Sequence, residues 1–256
     1  HYRYPNQGGY SRRAYLINNV LRSNDNVLIF DTGDFYQGTP YFNIYKGKIE
    51  VEYMNKMHYT ATTLGNHEFD LGLDTLAQNL SLANFDVISS NYDFANHNKL
   101  SKIVNPYKIY KFNKIKIGVY GLGIDPKGLI DPYIWGNTKY KDPMQTAAEM
   151  TYLLKKDYKC NLIICLSHLG YKGDDGKIGD VEIAKSSSNI DIILGGHSHT
   201  LLSKPISIYN RDSKPVIITQ NAYAGVQMTQ LDCYFNSAGD FLFADNKTEK
   251  IFYKNV

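Results

Sequence analysis

No stretch of the 256 residues approaches the ~20 consecutive apolar residues that a membrane span requires. Cysteine is scarce. Cys160, Cys165 and Cys233 are odd in number and show no metal or disulfide spacing, so neither a disulfide framework nor a cysteine metal site is expected. Cys165 lies inside an apolar run and reads as a buried free thiol; the redox compartment stays open. The net charge is only +3 and no dense Lys/Arg run occurs, which argues against polymeric nucleic acid as a partner. Lys111, Lys114 and Lys116 alternate with apolar residues and read as the solvated face of a hairpin. Internal repeats, low-complexity linkers and composition breaks are missing, so residues 1–256 are expected to form a single domain. The sequence opens without an n-region, h-region and cleavage site, so any signal peptide lies outside it.

What is present is an alternation of apolar runs and helical patterns. Tyr10–Arg22 has apolar residues at spacings of three and four, as in a helix. Asn26–Phe30 reads as a buried strand, Gly47–Met57 as a helix, Tyr59–Leu64 as a strand, Leu73–Ala83 as a helix and Asp86–Ser90 as a short strand. This is the rhythm of a layered α/β fold. Tyr107–Phe112 and Ile115–Leu122 then predict an antiparallel hairpin turning at Asn113-Lys114. Asp125–Asn137 reads as a loop. Asp142-Pro143 opens a helix running to Asp157, with Asp as N-cap and Pro at the first helical position. Asn161–Leu166 and Asp191–Leu194 are strands on either side of the Tyr171–Gly179 loop and a short helix to about Lys185. The tail from Pro205 to Tyr253 alternates strands with turns and is expected to supply the second half of a β-sandwich.

Chemistry-bearing residues collect where these strands end. The first strand gives Asp31 and Asp34, the second Asn66 and His67, a later one His168, and the last His197 and His199. The carboxyl ends of strands are where open α/β sheets place their ligands. Asp70 follows His67 by three residues. On a helical face it would meet the imidazole, fixing its tautomer and raising its basicity. In an extended segment residues i and i+2 point the same way, so His197 and His199 are expected to face one site together. Carboxylate, amide and imidazole suit borderline divalent metals such as Zn, Mn, Fe or Co. Asp31 reads as a turn residue, Asn91 as a turn or supporting residue, and His58 and His97 as surface positions. The abundant tyrosines read as core and surface rather than as a base-stacking platform.

The motifs Gly33-Asp34, Gly65-Asn66-His67-Glu68, Ser167-His168 and Gly195-Gly196-His197-Ser198-His199 resemble those of the calcineurin-like metallophosphoesterases. Gly8-Gly9-Tyr10-Ser11-Arg12-Arg13, Asp31-Thr32-Gly33-Asp34 with Gln37-Gly38, and Asn66-His67-Glu68-Phe69-Asp70 with Gly72 narrow the resemblance. They point to the amino-terminal catalytic domain of the 5′-nucleotidase, UDP-sugar hydrolase and 2′,3′-cyclic phosphodiesterase family. The resemblance implies a four-layer α/β/β/α sandwich of two mixed sheets flanked by helices. It implies two divalent ions (Zn, Mn, Fe, Co or Mg) bridged by Asp34, with Asn66, His168 and His197 completing one position and His199 serving the other. His67 and Asp70 would be the catalytic pair that binds no metal. A nucleotide or other small phosphoester is the implied substrate, hydrolysed by a metal-activated water. Cyclic nucleotides and sugar nucleotides are alternative substrates.

The family's opening strand ends in Asp-x-His, and nothing of that kind precedes Gly8-Gly9. That strand is therefore expected upstream of His1; without it the chain would be a scaffold with an incomplete site. The domain that grips the nucleoside is likewise expected outside the sequence, on a further domain or a separate chain. Family members are commonly exported, which implies a periplasmic or cell-surface location.

Overall fold

The structure is a computed structural model that describes residues 5–173 and 176–252. His1, Tyr253 and part of the Tyr171–Gly179 loop lie outside the described residues.

The first half contains α1 (Tyr10–Ser23), β1 (Phe30–Asp31), α2 (Pro40–Tyr45), α3 (Lys48–Lys56), β2 (Ala61–Thr62), a 3₁₀ turn (His67–Phe69), α4 (Gly72–Leu80), β3 (Asp86–Ile88), β4 (Tyr92–Asp93), α5 (Leu100–Ile103) and β5 (Val104–Asn105). β1, β2, β3 and β5 pair in that order, all parallel. The second half contains β6 (Tyr107–Phe112), β7 (Ile115–Gly123), α6 (Pro132–Trp135), β8 (Lys139–Tyr140), α7 (Pro143–Tyr152), β9 (Leu162–His168), α8 (Asp180–Ser186), β10 (Ile192–Gly195), β11 (Ile206–Tyr209) and β12 (Pro215–Gln220). These give a six-stranded sheet in the order β11-β12-β10-β9-β7-β6. Its four inner strands run parallel and its two edges antiparallel. Among the described residues only this sheet is mixed. The helical crossovers of the first half make the smaller sheet wholly parallel, a correction to the expected two mixed sheets.

Three apolar clusters separate four layers. One joins the small sheet to its helices through Ile17, Val51, Met54, Leu76 and Val87. Another joins the large sheet to α7 and α8 through Ala147, Ile163, Cys165, Ile183 and Ile193. The third lies between the sheets and holds Ala61, Ile88, Val119, Leu162, Ile164 and Leu166. Strand β9 shows how this places the site. Its even-numbered residues Leu162, Ile164 and Leu166 face the other sheet, and period-two alternation carries His168 to that same side at the strand's end.

At the same end the sheets are clamped by side chains. Asn91, fully buried, donates to the Gly123 carbonyl and accepts from the Gly123 N–H, both at 2.8 Å. Asn91 is thus a bridge between sheets, more than a turn residue. Gly121 permits the approach: a Cβ there would lie 2.2 Å from the Ile88 carbonyl oxygen.

The hairpin forms with Asn113 left-handed at φ 51 and Phe112 opposite Ile115. The α7 cap is also as read, with the Asp142 carboxylate accepting from the Gln145 N–H at 2.8 Å. Beyond Tyr152 the backbone widens into a π turn, Leu153–Asp157. Two other expectations need correction. The strand expected at Asn26–Phe30 forms a ladder only at Phe30–Asp31, because the Thr60 hydroxyl takes the Ile29 N–H in place of a backbone carbonyl. The tail does not complete a sandwich by itself. β11 and β12 extend the large sheet. β13 (Gln227–Phe235) and β14 (Phe241–Lys250) form a separate ribbon that lays Leu231, Cys233, Phe235 and Phe241 against the inter-sheet cluster. No helix among the described residues is long and apolar enough to cross a membrane.

Candidate metal centre

The expected strand-end groups converge from both sheets. Ligand atoms of Asp34, His168 and His197 all lie within 4.8 Å of one another. Asp34 is presented by a turn that Asp31 organises: its carboxylate accepts from the Gly33 N–H at 3.0 Å and the Thr62 hydroxyl at 3.2 Å. This is the turn role read for Asp31. Asp34 itself is left-handed at φ 59, and its Oδ1 accepts from the His67 N–H at 2.8 Å.

His168 is 1 % exposed. Its Nδ1 lies 2.6 Å from the Thr32 carbonyl oxygen, which fixes Nδ1 as the donor and turns Nε2 toward Asp34 Oδ2 at 2.9 Å. Nε2 has no aligned hydrogen-bond partner. A buried nitrogen facing a carboxylate in this way is the environment a shared cation would satisfy, and the donor set of imidazole, carboxylate and amide fits a borderline divalent ion. Burial works against charge on both groups. The mutual attraction of Asp34 and His168 prevails, holding the Asp34 carboxyl down and the imidazole up.

Three glycines leave room for this arrangement. A Cβ on Gly65 would sit 2.3 Å from Asp34 Oδ1 and 2.6 Å from the His168 ring. On Gly33 or Gly196 it would lie 2.9 Å from His168 Nδ1.

His197 Nδ1 is 3.1 Å from Asn66 Oδ1, which brings the amide into the cluster. Burial, and then the nearby charge of His168, push the His197 imidazole down to about 4. It is therefore neutral at physiological pH, the form that ligates metal. The extended geometry expected for Gly195–His199 does not form. His197 (φ 69) and His199 (φ 54) are both left-handed, so the i, i+2 argument does not apply. His197 enters the cluster, while the His199 ring stacks on Tyr223. Gln220 holds this turn. Its Oε1 accepts from the Ser198 hydroxyl and the Thr200 N–H, and its Nε2 donates to the Gly196 carbonyl at 2.6 Å.

His67 and Asp70 meet through Nδ1 and Oδ2 at 3.0 Å. The intervening turn is 3₁₀, in which residues i and i+3 eclipse, so the three-residue spacing gives direct contact. The His67 side chain is 44 % exposed and can reach a bound molecule. Gln37 also donates to the Asp70 carboxylate.

Sequence reasoning assigned no role to Glu68. Its fully buried carboxylate accepts from the N–H groups of Gly65 (2.6 Å), Asp34 (2.8 Å) and Tyr36 (3.3 Å), tying together the turns that carry Asp34 and Asn66. Burial and the neighbouring Asp34 carboxylate raise it above the ordinary range. A Glu three residues after Gly65, reaching back to that glycine's N–H, is the capping-box relation and could have been read from the sequence. Asp180 was also missed. It is fully buried, accepts from the Ser167 hydroxyl at 2.5 Å and is pushed up by burial to about 7. His97 caps α5 by accepting from the Leu100 N–H at 3.2 Å.

Fold and site together define an α/β/β/α domain with a candidate divalent-metal centre at the mouth of the two sheets. The calcineurin-like phosphoesterase family model matches residues 1–201, and the chain belongs to that family. It is 32% identical over 241 residues to the protein 5NUC of Lutzomyia longipalpis, covering 91% of this chain and 41% of that protein. It is 30% identical to the snake venom 5′-nucleotidase of Crotalus adamanteus, covering 92% and 41%. Among solved structures, the 5′-nucleotidase precursor of Thermus thermophilus superposes with a TM-score of 0.88 at 32% identity, covering 97% of this chain and 50% of that one. The chain thus spans less than half the length of the two curated relatives.

Proposed function

We propose that the chain hydrolyses small phosphoesters, with nucleoside 5′-monophosphates as the first substrate class. The carrying observation is the Asp34–His168–His197 cluster at converging strand ends of a chain in this family. The 5′-nucleotidases among its relatives support the choice of substrate. Asp34, Asn66, His168 and His197 would hold one divalent ion, and Asp34 with His199 would contribute to a second. When bound, such a pair supplies a water of lowered pKa and neutralises charge on the phosphoryl oxygens.

The residues of this chain do the rest. The Asp34 carboxylate and the His67 N–H lock the two metal-bearing turns to each other. His67, its Nδ1–H donating to Asp70, keeps Nε2 for a phosphoryl oxygen or the departing alkoxide, and as a cation it stabilises the charge that develops there. Export from the cytoplasm and a nucleoside-binding partner domain belong to the same reading.

The test is hydrolysis of AMP, a 2′,3′-cyclic nucleotide and a UDP-sugar, with metal content measured in parallel. Wild type should release phosphate from AMP in the presence of Mn²⁺ or Zn²⁺. Asp34→Asn and His168→Ala should each lose at least about 100-fold in kcat/KM while keeping the wild-type circular dichroism spectrum. Full activity in both variants overturns the reading. Preference for the cyclic nucleotide or UDP-sugar reassigns the substrate, and no turnover of any ester favours a scaffold.

A further inference from the structure

The segment between β12 and β13 is strained in a place the apolar packing does not explain. Ala222 (φ 57) and Ala224 (φ 58) are left-handed without being glycine, and Gly225 (φ 60) follows. Such backbone is unfavourable for a non-glycine residue and persists only where the surroundings over-determine it. Here they do. The Ala222 N–H donates to the Thr200 carbonyl at 3.0 Å, and Leu201 bridges Asn221. Asn221 Oδ1 accepts from Thr229 Oγ1 at 2.7 Å and Gln227 Nε2 at 3.0 Å. On the far side the Arg13 guanidinium seats against Gly225, where a Cβ would come within 3.1 Å of it.

The residue held by these constraints is Tyr223. It is half-buried and belongs to none of the three apolar clusters. Its ring lies over the His199 imidazole, centroids 4.7 Å apart and planes 26° apart. We infer that Tyr223 is a positioning residue for His199: the strained segment fixes the phenol ring, and the ring fixes the plane of the imidazole at the second metal position. The inference rests on the phosphoesterase reading above. Stacking orients the imidazole through the face of its ring.

The experiment compares wild type, Tyr223→Ala and Tyr223→Phe. Mn²⁺ binding to metal-stripped protein is followed by titration calorimetry, the metal-free thermal midpoint by circular dichroism, and AMP hydrolysis at limiting and saturating Mn²⁺. Tyr223→Ala should bind one Mn²⁺ about tenfold more weakly, the low end for losing a group that orients a ligand. Its kcat should fall at limiting Mn²⁺ and recover at saturation, with the metal-free midpoint unchanged. Tyr223→Phe should match wild type. Unchanged Mn²⁺ affinity in Tyr223→Ala overturns the inference, whether or not its midpoint falls. So does a Tyr223→Phe variant as impaired as Tyr223→Ala, because the hydroxyl would then carry the effect. If wild type itself takes up no divalent metal and hydrolyses no AMP, the phosphoesterase reading fails and takes this inference with it.

Discussion

Single carboxylates in this chain carry opposite charge logic according to their partners. Asp34 faces a histidine and is held down, whereas Asp191 sits at the start of a buried strand and is pushed up by burial to about 6. Its Oδ2 accepts from the Ile163 N–H at 2.8 Å, and Lys155 and Lys214 offset burial only in part. A raised folded-state pKa means the native protein binds the proton more tightly than the unfolded chain. Ionisation of Asp191 therefore lowers stability as pH rises from about 4 to about 6, and the cost is constant above that. Asp191→Asn keeps an acceptor for Ile163 and removes the charge. At pH 7.5 it should be more stable by on the order of 1–3 kcal/mol, a rise of about 2–12 °C in midpoint for a chain of this size. Thermal unfolding at pH 4.5 should show the gap largely closed; an equal gap at both pH values would contradict this assignment. The same scale shows what the sequence left unsaid. Asp34, Asn66, His168 and His197 were legible because each ends an apolar run. Asp180 was not, because a buried carboxylate serving a single hydroxyl looks in sequence like any surface acid; for Glu68 the only signal was its three-residue offset from Gly65.

At the scale of elements, the strand ends were easier to place than the strands. Two-residue ladders such as Phe30–Asp31 and Ala61–Thr62 are too short for periodicity to bound, yet the turns after them were recognisable by Gly, Asp and Asn. The Gly195–His199 turn was misjudged because its geometry is imposed by Gln220, more than twenty residues downstream. The inter-sheet clamp is equally non-local: Asn91 from the small-sheet side serves both backbone groups of Gly123 on β7. Asn91→Leu would bury that N–H and carbonyl without partners, at about 1–3 kcal/mol each. A loss of about 2–5 kcal/mol in urea unfolding is expected, and the two halves of the metal cluster should separate with it. Mn²⁺ affinity should therefore drop in the folded variant as well. A variant as stable as wild type would mean that the clamp is redundant with the Ser90–Gly121 bonds beside it.

Over the whole molecule, the candidate centre joins two sheets that otherwise meet through an apolar layer and a few hydrogen bonds. Asp34 and Asn66 hang from the small sheet, His168 and His197 from the large one. A divalent ion held by these residues ties the sheets together only when both are folded, so its binding free energy is also folding free energy. At a free metal concentration about 1,000 times the dissociation constant, linkage contributes about 4 kcal/mol. For a chain of this length that is a midpoint rise of about 8–16 °C over protein kept in a chelator. The increment should vanish in Asp34→Asn and His168→Ala, whose chelated midpoints should themselves fall below that of wild type, because removing either member leaves the other's buried charge without its partner. Calorimetric scans of the three proteins with and without Mn²⁺ decide it. A metal-independent midpoint in wild type would show that the cluster is held by protein contacts alone. An increment that survives in both variants would place the stabilising ion elsewhere on the surface.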